Sequence, residues 1–172
     1  NSKMVGFGNK FENKKLNKKK LINQAFLLHS QGKIKEALKN YKYCIEMGVR
    51  DDRIYANYGL ILKSSGNLRQ AEKLLRKAIA INPNSDTAYT NLGTILKDLK
   101  QFKEAEFYHR KAIVINPNFS LAYTNLGNVL RELKKFKEAE ILLRKAIQLD
   151  PKSAIANANL GEVLKSRGKL EE

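Results

Sequence analysis

The chain has 172 residues, of which 42% are hydrophobic and 29% charged, and it carries a formal net charge of +16 at pH 7. No apolar run approaches the ~20 residues of a membrane-spanning helix, no secretory leader pattern opens the sequence, and its one cysteine cannot close an internal disulfide. The expectation is one soluble domain in the cytoplasm, with a basic bias that grows toward the N-terminus. Residues 18–51 hold eight Lys and Arg against three Asp and Glu, whereas residues 86–119 hold five against four. Such a bias attracts a negatively charged partner without identifying one.

In chain order, residues 1–17 are polar, rich in lysine and without helical periodicity, which predicts a basic flexible arm. Met4 reads as a native start preceded by three residues of expression scar. Gly6-Phe7-Gly8 is not a phosphate loop, since no strand precedes it and no Gly-Lys-Ser/Thr follows. Lys14, Lys15, Lys18, Lys19 and Lys20 could meet nucleic acid or anionic lipid; a solvated arm is the plainer reading.

From residue 18 the sequence repeats. Ala37, Ala71, Ala105 and Ala139 stand 34 residues apart, as do Gly59, Gly93, Gly127 and Gly161, and Pro83, Pro117 and Pro151. A fixed period of this size marks a stacked array in which each unit buries its apolar face against its neighbours. The units are 18–51, 52–85, 86–119, 120–153 and the partial 154–172, and together they form one array over 18–172. In the unit 86–119, Ala88, Tyr89, Leu92, Gly93, Ile95 and Leu96 form one helical stripe, and Phe102, Ala105, Ala112, Ile113 and Ile115 a second. Asp98-Leu99-Lys100-Gln101 turns between them, and Asn116-Pro117-Asn118 ends the second helix because proline disfavours helical geometry in the residue before it. The small residues Gly93, Ala105 and Ala112 predict close approach of the two helix backbones. Cys44, in the slot of Ala78, Ala112 and Ala146, reads as a small buried hydrophobe.

This pattern resembles the tetratricopeptide repeat. Tyr89, Leu92, Gly93, Leu96, Ala105, Ala112 and Pro117 match its 34-residue signature, as do Tyr123, Leu126, Gly127, Leu130, Ala139, Ala146 and Pro151. Unit 52–85 matches with Tyr58 in place of the leucine, and unit 18–51 departs most, with Ala25 for the glycine, Cys44 for an alanine and no proline. The resemblance implies an all-α, right-handed superhelical solenoid of antiparallel helix-turn-helix hairpins.

The first-helix positions not used for packing fall together on the opposite face and, stacked, would line a concave groove. One column there is invariant: Asn23, Asn57, Asn91, Asn125 and Asn159. An asparagine amide offers one acceptor and two donors and could hold an extended chain by its peptide groups. The column resembles the asparagine ladder of the O-linked N-acetylglucosamine transferase superhelices. Two other readings stay open: repeat consensus without function, or asparagines bonding between neighbouring helices. A basic column, Lys63, Lys97, Arg131 and Lys165, follows, with Asp98 and Glu132 positioned to neutralise part of it, and Thr90, Thr94, Thr124 and Asn128 complete the expected groove. A carboxylate clamp of the tetratricopeptide kind is not expected, because Ile22, Ala56, Thr90 and Thr124 stand where it uses lysines. The dibasic pairs Arg76-Lys77, Arg110-Lys111 and Arg144-Lys145 read as a solubilising outer stripe.

His29 and His109 are 80 residues apart, and His109, in the slot of Leu75 and Leu143, reads as a half-buried packing residue. No spaced Cys/His set predicts a metal and no elbow serine or phosphate loop predicts catalysis, so no enzyme and no cofactor are expected. The leading expectation is a scaffold for protein interaction that takes an extended peptide in its groove. Alternatives are the targeting arm of a larger transferase-type enzyme, or a binder of nucleic acid or an anionic membrane. Residues 154–172 supply a first helix only, which predicts a fragment of a longer array with weak self-association through the flank of Gly161, Leu164 and Leu170.

Overall fold

The computed structural model describes the backbone of residues 4–171 and the side chains of residues 17–168. Among the described residues there are nine helices and no strand: α1 (Met4–Ser30), α2 (Ile34–Glu46), α3 (Asp52–Ser64), α4 (Leu68–Ile81), α5 (Asp86–Asp98), α6 (Phe102–Ile115), α7 (Ser120–Glu132), α8 (Phe136–Leu149) and α9 (Ala154–Glu171). Consecutive helices pack in pairs, α1 on α2 through α7 on α8, and first helices also meet across units, α3 with α5, α5 with α7 and α7 with α9. The architecture is the solenoid of helical hairpins that the 34-residue period predicts.

Each second helix buries residues at steps of four and three: Ala71, Leu75 and Ala78 in α4, Ala105, His109 and Ala112 in α6, Ala139, Leu143 and Ala146 in α8. That spacing keeps one narrow stripe against the first helix. The middle residue of each stripe meets the glycine. A Cβ placed on Gly127 would lie 2.6 Å from Leu143 Cγ, one on Gly93 2.7 Å from the His109 ring, and one on Gly59 3.3 Å from the Ala71 carbonyl and Leu75 Cγ. Ala25 fills that place in the first unit and is fully buried, as is Cys44, whose thiol burial pushes above its ordinary pKa.

Both ends of the hairpin are closed by hydrogen bonds. After the first helix the chain turns through one left-handed residue, Gly32, Gly66, Lys100 or Lys134, at φ of 72, 79, 61 and 60°. The next N–H then reaches back to the helix: Lys33 to the Leu28 carbonyl at 2.9 Å, Asn67 to Leu62 at 2.9 Å, Gln101 to Leu96 at 2.8 Å, Lys135 to Leu130 at 2.9 Å. This is a Schellman closure, which satisfies carbonyls that the helix end leaves open. After the second helix, Asn82 and Asn116 each do two things. Their side-chain oxygens accept the N–H of Asn84 and Asn118, and their Nδ2 groups donate to Asp52 and Asp86 at 3.1 and 2.6 Å, in the first turn of the same unit. The fourth unit has Asp150 and Ser120 in these places, and Ser120 donates instead to the Ala146 carbonyl at 3.0 Å.

Neighbouring second helices are joined by charge. Arg76 bonds Glu72 on its own helix and Glu104 on α6, at 2.9 and 2.6 Å, and Arg110 bonds Glu106 and, on α8, Glu138, at 2.8 and 2.5 Å. The arginines of the dibasic pairs therefore link units in addition to facing solvent.

The two ends of the chain differ from expectation. The arm predicted over 1–17 is, from Met4 onward, continuous with α1, because no proline interrupts residues 4–30 and lysine extends an existing helix at little cost. The lysines at 14 and 15 lie outside the described side chains. At the other end α9 runs through Gly168, the place where Gly66, Lys100 and Lys134 turn. On its open flank Leu164 is 39% exposed and Gly161 has no neighbour within 4 Å of an added Cβ, while the Leu170 side chain lies outside the described residues.

The glycines therefore separate by role. Gly127→Ala forces Leu143 aside and is expected to destabilise the chain by about 1–3 kcal/mol, less the helix preference gained. Gly161→Ala meets nothing and is expected to stabilise it by about 0.5–1 kcal/mol. Urea unfolding of both variants checks this; equal effects would show that close approach does not set the glycine column.

Candidate functional site: the concave groove

The first helices form one wall. Phe26, His29 and Ser30 of α1, Asp52, Arg53, Ala56, Asn57 and Leu60 of α3, and Thr87, Ala88 and Asn91 of α5, with Ser85 before it, enclose a groove of about 660 Å³. Its apolar floor combines Phe26 and Leu60, which occupy one column 34 residues apart; the sequence reading missed Phe26 although that step marks it. The Arg53 guanidinium lies 4.9 Å from the Phe26 ring centroid and is held by a two-pronged bond to Asp51, at 3.0 and 2.7 Å. A second hollow of about 450 Å³, lined by Arg131, Glu132, Glu162 and Lys165 among others, lies between α7 and α9.

The asparagine column divides on inspection. Asn57 donates from Nδ2 to the Tyr41 hydroxyl at 3.3 Å, and that hydroxyl lies 3.0 Å from His29 Nδ1, so this one asparagine of the column joins a small network with α1 and α2. Asn125 donates to Thr94 Oγ1 of the preceding unit at 3.3 Å. Both are bonds between neighbouring helices, and each occupies one of the amide's two N–H donors. Asn91 is half-buried in the groove wall, Asn159 is half-buried on α9, and Asn23 is exposed on α1.

Two predicted groove residues are placed elsewhere. Thr90 and Thr124 are each 1% exposed, packed inside the array and not on its concave surface. First helices of neighbouring units contact one another, α3 with α5 and α5 with α7, so a position that looks free within one hairpin can be closed off by stacking. Thr124 satisfies its hydroxyl on the Ser120 carbonyl at 3.1 Å, whereas Thr90 Oγ1 has no partner. Thr94 and Asn128 remain half-buried at the surface, the former bonded to the Thr90 carbonyl at 2.9 Å and the latter accepting from Arg131 at 3.2 Å.

The basic column is largely paired. Lys63 and Lys97 share Asp98, at 3.6 and 3.7 Å, and Arg131 pairs with Glu132 at 2.9 Å and with Glu162 of α9. Lys165 is exposed. With Lys134 and Lys165 beside Arg131, the C-terminal hollow holds three cations against Glu132 and Glu162, so neither half of the groove is acidic. Each such exposed pair contributes little to stability, but the sum sets which ligand charge each half accepts.

His109 needs correction. It is fully buried, not half-buried, and neither ring nitrogen has a hydrogen-bond partner. Burial, reinforced by the Lys97 charge, pushes its pKa down to about 4. A neutral ring enclosed against Gly93 presents nothing to a substrate. Among the described residues no group of three or more His, Cys, Asp or Glu is placed to hold a metal ion.

A groove walled by the first helices of stacked hairpins defines the class, a helical-repeat scaffold. Tetratricopeptide repeat models match residues 87–119 and 120–153, and a further one matches residues 28–96, so the chain belongs to the tetratricopeptide repeat family. Among solved structures it is similar to MamA (residues 41 to the end) from Desulfovibrio magneticus RS-1, at 22% identity and a TM-score of 0.78 over 88% of this chain and 85% of that one. It is similar to YrrB, described as a tetratricopeptide protein with an unusual peptide-binding site, at 26% identity and a TM-score of 0.73 over 86% and 76%. The first such domain of Spaghetti (RPAP3), bound to the HSP90 peptide SRMEEVD, aligns at 21% identity and a TM-score of 0.67 over 69% and 94%. No curated protein matches the chain.

The buried imidazole makes stability depend on acid. A His whose folded pKa lies below its ordinary 6.5 stabilises fully above that value and loses its contribution as pH falls from 6.5 toward 4. Urea unfolding should show about 2–3 kcal/mol less stability at the lower end than at neutral pH. His109→Leu, which restores the residue of α4 and α8, should be more stable at neutral pH and lose most of this slope. An unchanged slope would assign it to other groups.

Proposed function

We propose that this chain is a non-catalytic scaffold that binds an extended peptide segment of a partner protein in its concave groove. The observation that carries the reading is the hollow spanning α1, α3 and α5, in which Asn57 and Asn91 stand 34 residues apart beside the apolar floor of Phe26 and Leu60. Amides at that repeat can bond the peptide groups of a strand-like ligand, while the floor takes an apolar side chain and Arg53 lies at the rim. Asn91 is the better-placed ligand group. Asn57 can also be replaced cleanly, because the Tyr41 hydroxyl retains His29 as a partner. Similarity to peptide-binding members of the family supports the reading in general, and the groove contacts are specific to this proposal.

The test uses random dodecapeptides displayed on phage, with recovered peptides measured by fluorescence anisotropy. Asn57→Ala/Asn91→Ala should weaken binding by about 1–3 kcal/mol, the worth of roughly two backbone hydrogen bonds, while leaving thermal unfolding nearly unchanged. Peptides that bind the double variant and the parent equally would place the ligand elsewhere.

A further inference from the structure

We propose that the solvent face of α2 is a docking surface for an anionic phospholipid bilayer, separate from the peptide groove. In α2 the buried residues are Ala37, Tyr41 and Cys44, and at about 100° per residue Lys35, Lys39 and Lys42 fall together on the opposite side with the single acid Glu46 among them, all exposed. The later second helices carry Arg76, Arg110 and Arg144 in the Lys42 place, and each bonds a carboxylate four residues earlier, Glu72, Glu106 or Glu140, at 2.8–2.9 Å. In α2 that place is Leu38, so the partner has been removed and the cation kept.

The same contrast holds for the whole unit. None of the eight Lys and Arg of residues 18–51 is in an ion pair, whereas Arg53, Lys63, Arg69 and Arg76, four of the six in residues 52–85, are. An unpaired patch of one sign attracts an oppositely charged surface and speeds its encounter. Next to Lys39 around the helix stands Tyr43, 47% exposed, and Met47, 39% exposed, caps the end of the helix.

A bilayer is favoured over nucleic acid by the residue types. The α2 cations are lysines, point charges without the guanidinium fork, and Tyr43 is a single ring where a stacking platform needs several. A ring with a polar tip next to aliphatic side chains suits the headgroup boundary, and each lysine near an anionic leaflet adds attraction without needing a fixed geometry. The second helices lie behind the groove wall, so a flat surface can reach α2 while the groove holds a peptide.

Sedimentation with phosphatidylcholine vesicles, with and without roughly 30% phosphatidylserine, tests this at about 50 and about 300 mM NaCl. The parent chain should bind only the anionic vesicles and lose binding at least about tenfold at the higher salt. Lys35→Glu/Lys39→Glu/Lys42→Glu should lose on the order of a hundredfold, and the milder triple change to Gln should lose more than about tenfold. Lys103→Glu/Lys111→Glu/Lys137→Glu, which changes the net charge equally on α6 and α8, should stay within about threefold of the parent. Asn57→Ala/Asn91→Ala should bind vesicles as the parent does, which keeps failure of this proposal distinct from failure of the peptide site. The proposal is overturned if anionic vesicles are not bound at low salt, if the α6 and α8 variant loses as much as the α2 variant, or if a single-stranded RNA oligonucleotide binds the same lysines more tightly than the vesicles do.

Discussion

The contact between a side-chain-free position on each first helix and one bulky residue on the second sets the rest of the structure. Gly59, Gly93 and Gly127 let Leu75, His109 and Leu143 press against backbone, and that distance determines how far the flanking alanines may sit from the facing helix. Once the hairpin is this narrow, its first helix has a second face to offer, and neighbouring first helices can meet along Thr90 and Thr124. The groove is what remains of that face after units have stacked. Its composition is thus the residue of two packing demands, and only positions that escape both are available to a ligand.

The sequence shows the hairpins clearly because each unit repeats the same small residues for the same steric reason. Gly93, Ala105 and Ala112 can be read without coordinates, and the helix limits at Asp98 and Ile115 fall where the turn and the proline place them. The stacking is less legible. Periodicity within one helix cannot say that Thr90 is covered by a neighbour, nor that Asn125 turns to Thr94, since both depend on the rotation between units. Lys100 and Lys134 hide a left-handed turn that Gly66 advertises, because the tertiary closure overrides residue preference there. The Asp52–Asn82 and Asp86–Asn116 bonds link residues thirty apart, a step shorter than the repeat, and so escape a search at the repeat length. His109 shows the converse: a polar residue in an apolar slot looks tolerable in the sequence, and only the enclosure of both ring nitrogens shows its cost.

Charge is used differently on the two faces. Along the groove and on the later second helices, arginines and lysines are tied to carboxylates of the same or the next unit, which makes the cations structural as much as functional. The first unit stands apart. With Leu38 in place of an acid, its cations remain in solvent, and residues 1–51 hold half of the net charge of +16. A molecule with such asymmetry carries a dipole, which orients it before any contact forms.

The joints between units are short-range: Arg76 reaches only α6, and Arg110 only α8. The apolar core is continuous across the same joints, with Ala71, Leu92 and Val129 of three successive units in one cluster. The width of the groove is therefore set by packing shared between units, and a ligand is selected by its fit to the hollow at α3 as it stands.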